Sequence, residues 1–357
     1  MKKQKYLEKI IIGFILFTAA VILQMAARNS TGFANWYTGT IYPLWVNTFG
    51  RLCSAAAFSV VEVLLYFLLA ALVCTAGLGI IHMIRREKTV SDVLLAGSGN
   101  IVLLVGGLFF LYTAMCGINY HSDAFSKLNG LEIKRYTVEQ LTAYCEMITG
   151  EVNRLSPDTD RDKLKNLRAN GEEAVVAMRA LGEKYEGLGG YYPRPKGLLI
   201  SEILSYQHLT GIYSPFTIEA NYNADMTAYN IPFTMCHELS HLRGFMREDE
   251  ANYIAYLASS NSDNTEFRYS GALMAWIYST NLLYDYDKEA YWRLHDSLDM
   301  RALEDLEKNT AFWKRYEGKI SEVSDKVNDT YLKANKQTDG VESYDRMVDL
   351  LMAEFLS

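Results

Sequence analysis

The chain has 357 residues, room for two or three folding units, and half of them (50%) are apolar. Its formal net charge of -7, with no basic patch interleaved with aromatics, argues against nucleic acid as a partner. Five cysteines (Cys53, Cys74, Cys116, Cys145 and Cys236) form no CxxC pair, so neither a disulfide framework nor a cysteine zinc knuckle is indicated.

The apolar residues are concentrated at the start. Ile10 to Ala27 is a run just long enough to span a bilayer, preceded by Lys2, Lys3, Lys5 and Lys9. Two more runs, about 55–84 and 99–118, read as a second and third span, so the first reads as an uncleaved anchor rather than a signal peptide. Arg85, Arg86 and Lys88 follow the second run. The positive-inside rule then puts the N-terminus and this loop in the cytoplasm. Segment 28–54 and everything from Asn119 to Ser357 become extracytoplasmic. The expected division is a membrane domain over 1–118 and an extracytoplasmic domain over 119–357. Glu62 falls near the outer end of the second span, as a functional carboxylate or as a link to the soluble part. The outer loop carries Trp36, Tyr37, Tyr42, Trp45 and Phe49, which read as an interfacial belt or as a contact with the soluble domain.

The soluble part reads as mostly helical. Thr137 and Gln140 form a capping-box signature for a helix to about Asn153. Residues 162–185 read as one or two helices, with a break near Asn170 and Gly171. Gly187 to Pro195 is a loop, and Leu198 to Leu204 a short helix or strand. Phe216, Ile218, Ala220 and Tyr222 alternate with polar residues, which predicts a half-buried strand, one whose edge could take an extended peptide. Further helices are expected from Glu248, over 268–284, over 288–336 and over 340–356.

One stretch carries the chemistry: Pro232-Phe233-Thr234-Met235-Cys236-His237-Glu238-Leu239-Ser240-His241-Leu242-Arg243-Gly244. Positions i and i+4 share a helical face, so His237 and His241 can aim at one metal ion. Glu238 is placed beside them to handle the protons of a water and is not a ligand. Asn230 is expected as N-cap, Pro232 in the first turn and Gly244 as the stop, with Met235, Leu239 and Leu242 as the packing stripe. A third ligand is needed. Glu248 shares its face with Ala251, Asn252 and Ala255, small residues that permit close approach; Glu250 shares its face with Tyr253, Ile254 and Leu257. Glu248 is therefore expected as the ligand and Glu250 as its rival. Donors to a developing oxyanion are sought among His208, Tyr222, Tyr278 and Tyr344.

His237-Glu238-Leu239-Ser240-His241 followed by Glu248-Asp249-Glu250-Ala251-Asn252 resembles the gluzincin metallopeptidases, many of whose membrane-bound bacterial members carry HExxH and then ExxAD. Ile41-Tyr42-Pro43, Phe58-Ser59-Val60-Val61-Glu62, Gly117-Ile118-Asn119-Tyr120, Tyr213-Ser214-Pro215-Phe216-Thr217 and Gly340-Val341-Glu342-Ser343-Tyr344 are similar to stretches of an uncharacterised bacterial family of multi-span proteins with an HExxH domain. The resemblance implies a Zn2+-dependent membrane peptidase, with the first Glu of ExxA, Glu248, as ligand. Two features depart from the pattern. Asn252 stands where gluzincins have Asp, and the interval from His241 to Glu248 is short. Gly244 is similar to the metzincin HExxHxxG turn, but Arg247 occupies the place of that pattern's third histidine.

The expected fold is mainly α: three transmembrane helices, then an α-rich, zincin-like (α+β) metallopeptidase domain with a small sheet. The expected function is a membrane-anchored zinc metallopeptidase that hydrolyses peptide bonds of a peptide or protein substrate, with membrane lipid as its other partner. A zinc-binding membrane sensor or signalling protein without turnover is the alternative. A site-2-type intramembrane protease fits poorly, because Arg243, Arg247, Glu248, Asp249 and Glu250 crowd the motif.

Overall fold

The structure is a computed structural model that describes residues 2–87, 89–335 and 346–357. Lys88, Tyr344, the Gly340–Tyr344 stretch and the expected start of the last helix lie outside the described residues.

The fold is mainly helical, with one small sheet. Three helices are long and apolar enough to cross a membrane: α1 (Lys2–Asn29), α2 (Val60–Ile84) and α3 (Val90–Tyr112), the last continued by a π-helical turn to Gly117. Two boundaries differ from expectation. The second helix starts at Val60 rather than 55, because Ser59 accepts the Glu62 N–H as N-cap. The third starts at Val90 rather than 99, because Thr89 and Asp92 form a capping box well before the apolar run.

Helices α1 and α3 lie side by side and parallel. Glycines bring their backbones together: a Cβ on Gly106 would sit 2.2 Å from the Gly13 carbonyl oxygen, and one on Gly99 3.1 Å from that of Tyr6. Phe17 meets Phe109 at 5.1 Å, and Lys9 Nζ donates to Asn100 Oδ1 at 2.7 Å.

Helix α2 is tied to the rest of the chain at its N-terminus. The Glu219 carboxylate accepts the Val60 and Val61 N–H groups at 3.1 and 2.9 Å, in the place where a helix attracts negative charge. Lys196 Nζ reaches the same carboxylate at 2.5 Å. In return the Glu62 carboxylate accepts the Leu199 and Ile200 N–H groups at 2.7 and 2.9 Å. Glu62 thus links α2 to the segment at Leu199 and Ile200.

The loop between α1 and α2 is helical from Thr31 to Ser54, with two π-helical turns. Its aromatics divide. Tyr37 and Tyr42 are buried in the core, while Trp36 and Phe49 are exposed. Tyr42 donates to the Leu242 carbonyl at the end of the histidine helix and shares a bond with the Tyr213 hydroxyl, both at 2.9 Å. The same core continues through Met115, Ile118 and Tyr120 into residues beyond 119.

After α3 come α4 (Val138–Leu155), capped by Thr137 and Gln140 as expected, and α5 (Leu167–Gly182). No break occurs at Asn170 and Gly171. That pair lies in the second turn of a helix capped by Asn166, and Asn170 Nδ2 donates to the Leu164 carbonyl at 2.7 Å. Strands β1 (Lys196–Gly197), β2 (Gly211–Ser214) and β3 (Glu219–Tyr222) form a sheet of order β1-β3-β2, parallel on one side and antiparallel on the other. The predicted strand is thus shorter and is the central one, buried along its whole length rather than half-buried at an edge. Pro215 to Ile218 form the turn of the β2–β3 hairpin, and β2 holds the open edge. A short helix, Glu202–Tyr206, replaces the helix or strand expected over 198–204.

Next are α6 (Asn230–Leu242), α7 (Glu248–Ser260) and α8 (Thr265–Tyr286), which pack on one another, with α6 also packed on β2 and β3. Helices α9 (Lys288–Asp296), α10 (Met300–Lys314), α11 (Lys319–Ala334) and α12 (Met347–Phe355) complete the chain.

Candidate metal centre

Helix α6 presents the motif. Met235, Leu239 and Leu242 are fully buried and seat one side of it in the core. Asn230 is not its N-cap. The Asn230 amide donates to Thr227 Oγ1 and Asn309 Oδ1 at 2.8 and 2.7 Å. Ser270 of α8 does the capping work, accepting the Phe233 N–H at 3.1 Å and donating to the Tyr229 carbonyl. Gly244 stops the helix at φ +102°, with Phe245 N bonded to the Ser240 carbonyl and Gly244 N to that of His241. This is a Schellman closure, and it turns the chain sharply back so that α7 starts beside the histidines.

Three side chains then converge. His237 Nε2 lies 3.2 Å from Glu248 Oε2, and His241 Nε2 lies 3.7 Å from Glu248 Oε1. One ligand atom from each residue falls within 4.8 Å of the other two. Glu248, the first residue of α7, is the carboxylate that reaches them. Glu250 points elsewhere and accepts the Phe125 N–H and Arg247 Nη1, both at 3.0 Å. Arg247 also donates to the Ser122 carbonyl, so it braces a neighbouring loop.

The other nitrogen of each ring is held. His237 Nδ1 is 2.7 Å from Asn252 Oδ1, and His241 Nδ1 is 2.8 Å from the Phe245 carbonyl. Both partners accept, so each Nδ1 carries a proton and each Nε2 is the ring atom turned to the shared centre, facing the Glu248 carboxylate. Asn252 thus holds the outer nitrogen of His237 with a neutral oxygen. The small residues Ala251 and Ala255, fully buried, let α7 approach α6.

Electrostatics fit a shared positive charge. Burial works to lower the His241 pKa, but the Glu248 carboxylate outweighs it and raises it to about 9. Burial works to raise the Glu248 pKa, but the two rings hold it below the usual carboxylate range. The donor set of two imidazoles and one carboxylate, with each lone pair turned inward, suits a zinc ion and leaves a fourth position open.

Glu238 is 3% exposed, and its Oε2 has no hydrogen-bond partner among the described residues. Burial pushes its pKa up to about 7, against the two histidines, which lower it. A Cβ on Gly211 would lie 2.4 Å from Glu238 Oε1, so the β2 backbone backs the carboxylate closely and a side chain there would push it aside.

These residues floor a cleft of about 680 Å³. His208 and Tyr278, two of the expected donors, line it; Tyr222 does not, and sits in the central strand. His208 adopts φ +55° and its buried Nε2 has no partner among the described residues. Sequence reasoning missed Tyr112, Tyr120, Tyr213 and Tyr331, which also line the cleft. The Tyr120 and Tyr331 hydroxyls are 3.0 Å apart. Tyr120 and Tyr213 fall in two of the stretches that carry the family resemblance, whereas Tyr112 and Tyr331 have no signal beyond the tyrosine-rich composition. Cys236, beside the motif, is the expected core residue: fully buried, with its thiol pushed up to about 12 by burial.

A family model described as "Protein of unknown function (DUF3810)" matches residues 37–352. Neither the curated proteins nor the solved structures contain a match.

Proposed function

The chain belongs to this family of unknown function, and we propose that it is a membrane-anchored, zinc-dependent metallopeptidase. The observation that carries the reading is the convergence of His237, His241 and Glu248 with both Nδ1 atoms already bonded. The fold fits a zincin-like arrangement, in which a small sheet, a histidine helix and a glutamate helix surround one cleft. The lysine pattern supports an orientation with the N-terminus in the cytoplasm and the cleft outside.

His237, His241 and Glu248 would hold the ion. When bound, zinc supplies Lewis acidity, acidifying a water and polarising the scissile carbonyl. Glu238 takes the proton of the attacking water on its free Oε2 and later delivers it to the leaving amine. Its raised pKa suits both halves of that task. Asn252 and the Phe245 carbonyl fix the ring tautomers throughout. The open edge of β2, with Gly211 and Ile212 lining the cleft, offers backbone groups to an extended peptide. His208 and Tyr278, which line the cleft, are the candidate donors to negative charge on the substrate oxygen.

Metal content of purified variants tests the ligand set. Glu248→Ala is expected to lose zinc, whereas Glu250→Ala keeps it. Zinc lost only from the Glu250 variant would overturn the assignment.

A further inference from the structure

Helix α11 forms one wall of the cleft, through Ser324, Val327, Asn328 and Tyr331. It is thinly packed: only Ser321 and Leu332 are buried. Ile320, Val323 and Val327 are 59, 60 and 64% exposed and lie on one stripe by helical spacing. Lys319, Glu322, Asp325, Lys326 and Lys333 take the remaining faces. An exposed apolar stripe beside a charged face is the pattern of a helix lying in a membrane interface.

Its position points the same way. Arg28, in the last turn of α1, donates to the Ala334 carbonyl at 3.1 Å. Tyr112, the last residue of α3, donates to Asn335 Oδ1 at 2.9 Å. Because α1 and α3 run parallel, these two ends emerge at the same membrane face. Helix α2 starts at that face, and its Glu62 grips the backbone at Leu199 and Ile200, themselves 65 and 47% exposed. The C-terminal end of α11 and the Leu199–Ile200 segment are thus each hydrogen-bonded to the end of a helix long and apolar enough to cross a membrane. Scattered exposed hydrophobics need no partner, but Ile320, Val323 and Val327 form a stripe on one of these tethered elements.

Resting on the metallopeptidase reading and on α1, α2 and α3 crossing a bilayer, we infer that the cleft opens onto the lipid surface where α1 ends. Ile320, Val323 and Val327 sit at the boundary of headgroups and acyl chains, and the substrate class is a polypeptide anchored in the same membrane. Such a substrate reaches Glu238 by moving along the surface, and its tether raises its effective concentration at the cleft.

The test uses the full chain in lipid nanodiscs, with Cys53 and Cys74 replaced by Ser. A bimane label is placed on Val323→Cys or, as control, on Glu322→Cys, which lies on the charged side of the same helix. Exchange of ordinary for dibrominated lipid is expected to quench the label at 323 by about half and to change that at 322 little, since an interfacial helix buries its apolar face about 5–10 Å deep. Little quenching at both positions overturns the lipid contact, whether the stripe then meets water or a second copy of the chain. In the second arm, one fluorogenic peptide is offered free or coupled to lipid. The coupled form is expected to be cleaved about tenfold faster or more, through its raised effective concentration; equal rates overturn the substrate class. Quenching at 323 with neither peptide cleaved removes the peptidase reading and leaves the lipid-facing cleft standing.

Discussion

Asn252 gives a sharp test of how the centre is held. It is 2% exposed, its Oδ1 fixes His237 at 2.7 Å, and its Nδ2 has no partner among the described residues. Asn252→Ala frees the ring to rotate and lets the proton move to Nε2, where it blocks the ligand. Removing such an outer partner costs about 10–100-fold in metal affinity. That equals about 1.4–2.8 kcal/mol at a factor of ten per 1.4 kcal/mol. The folding cost is smaller, about 1 kcal/mol for one hydrogen bond, because the same change also removes the unpartnered Nδ2. Asn252→Asp should act in the opposite sense on zinc, giving a charge-assisted bond to His237 in place of a neutral one. Competition for zinc against a fluorescent chelator reads both variants, with thermal melting of the metal-free protein to separate binding from folding. An unchanged zinc affinity in Asn252→Ala, with a folded protein, would refute the idea that this contact prepares His237 for metal.

Other outcomes follow from the same geometry. Glu219→Ala leaves Lys196 buried without its carboxylate and removes the acceptor of the Val60 and Val61 N–H groups, so thermal melting should show a loss of about 3–5 kcal/mol; the double change Lys196→Met with Glu219→Leu should recover the part due to the buried charge. Gly106→Leu should separate α1 from α3, since even a Cβ meets the Gly13 carbonyl; limited proteolysis in detergent would then cut faster, and an unchanged pattern would contradict the packing. A reporter fused after Ser357 is expected to score outside and one inserted at Glu87 inside, and a cytoplasmic C-terminus would reverse the proposed orientation.

Where the chemistry is local, the sequence was legible. HExxH fixes two ring directions within one helical turn, and Gly244 is the residue a left-handed stop requires. Helical phase separates Glu248 from Glu250, and the small residues on the Glu248 face and the ExxA resemblance favour Glu248; in the structure Glu248 faces the two histidines and Glu250 faces Phe125 and Arg247. What the sequence hid depends on distant partners. Asn230 looks like a cap, but Ser270, forty residues on, supplies that function. The strand ending at Tyr222 looks like an edge because its neighbours, β1 and β2, are short and irregular in pattern. Glu62 reads as a lone intramembrane charge until Leu199 and Ile200 bring it their N–H groups. The outer aromatic loop divides between core and surface because Tyr42 finds the carbonyl of Leu242, two hundred residues away. Pattern carries spacing within an element; it does not carry which element arrives opposite.

Hydrolysis of an unstructured peptide by the purified full chain, before and after chelation, tests the central claim most directly. The parent should cleave, lose activity to chelator and regain it with zinc. Glu238→Gln should hold zinc as the parent does and fail to cleave, because Glu238 moves protons and is not a ligand. Glu238→Gln cleaving as fast as the parent, or a parent indifferent to chelation, would contradict the account.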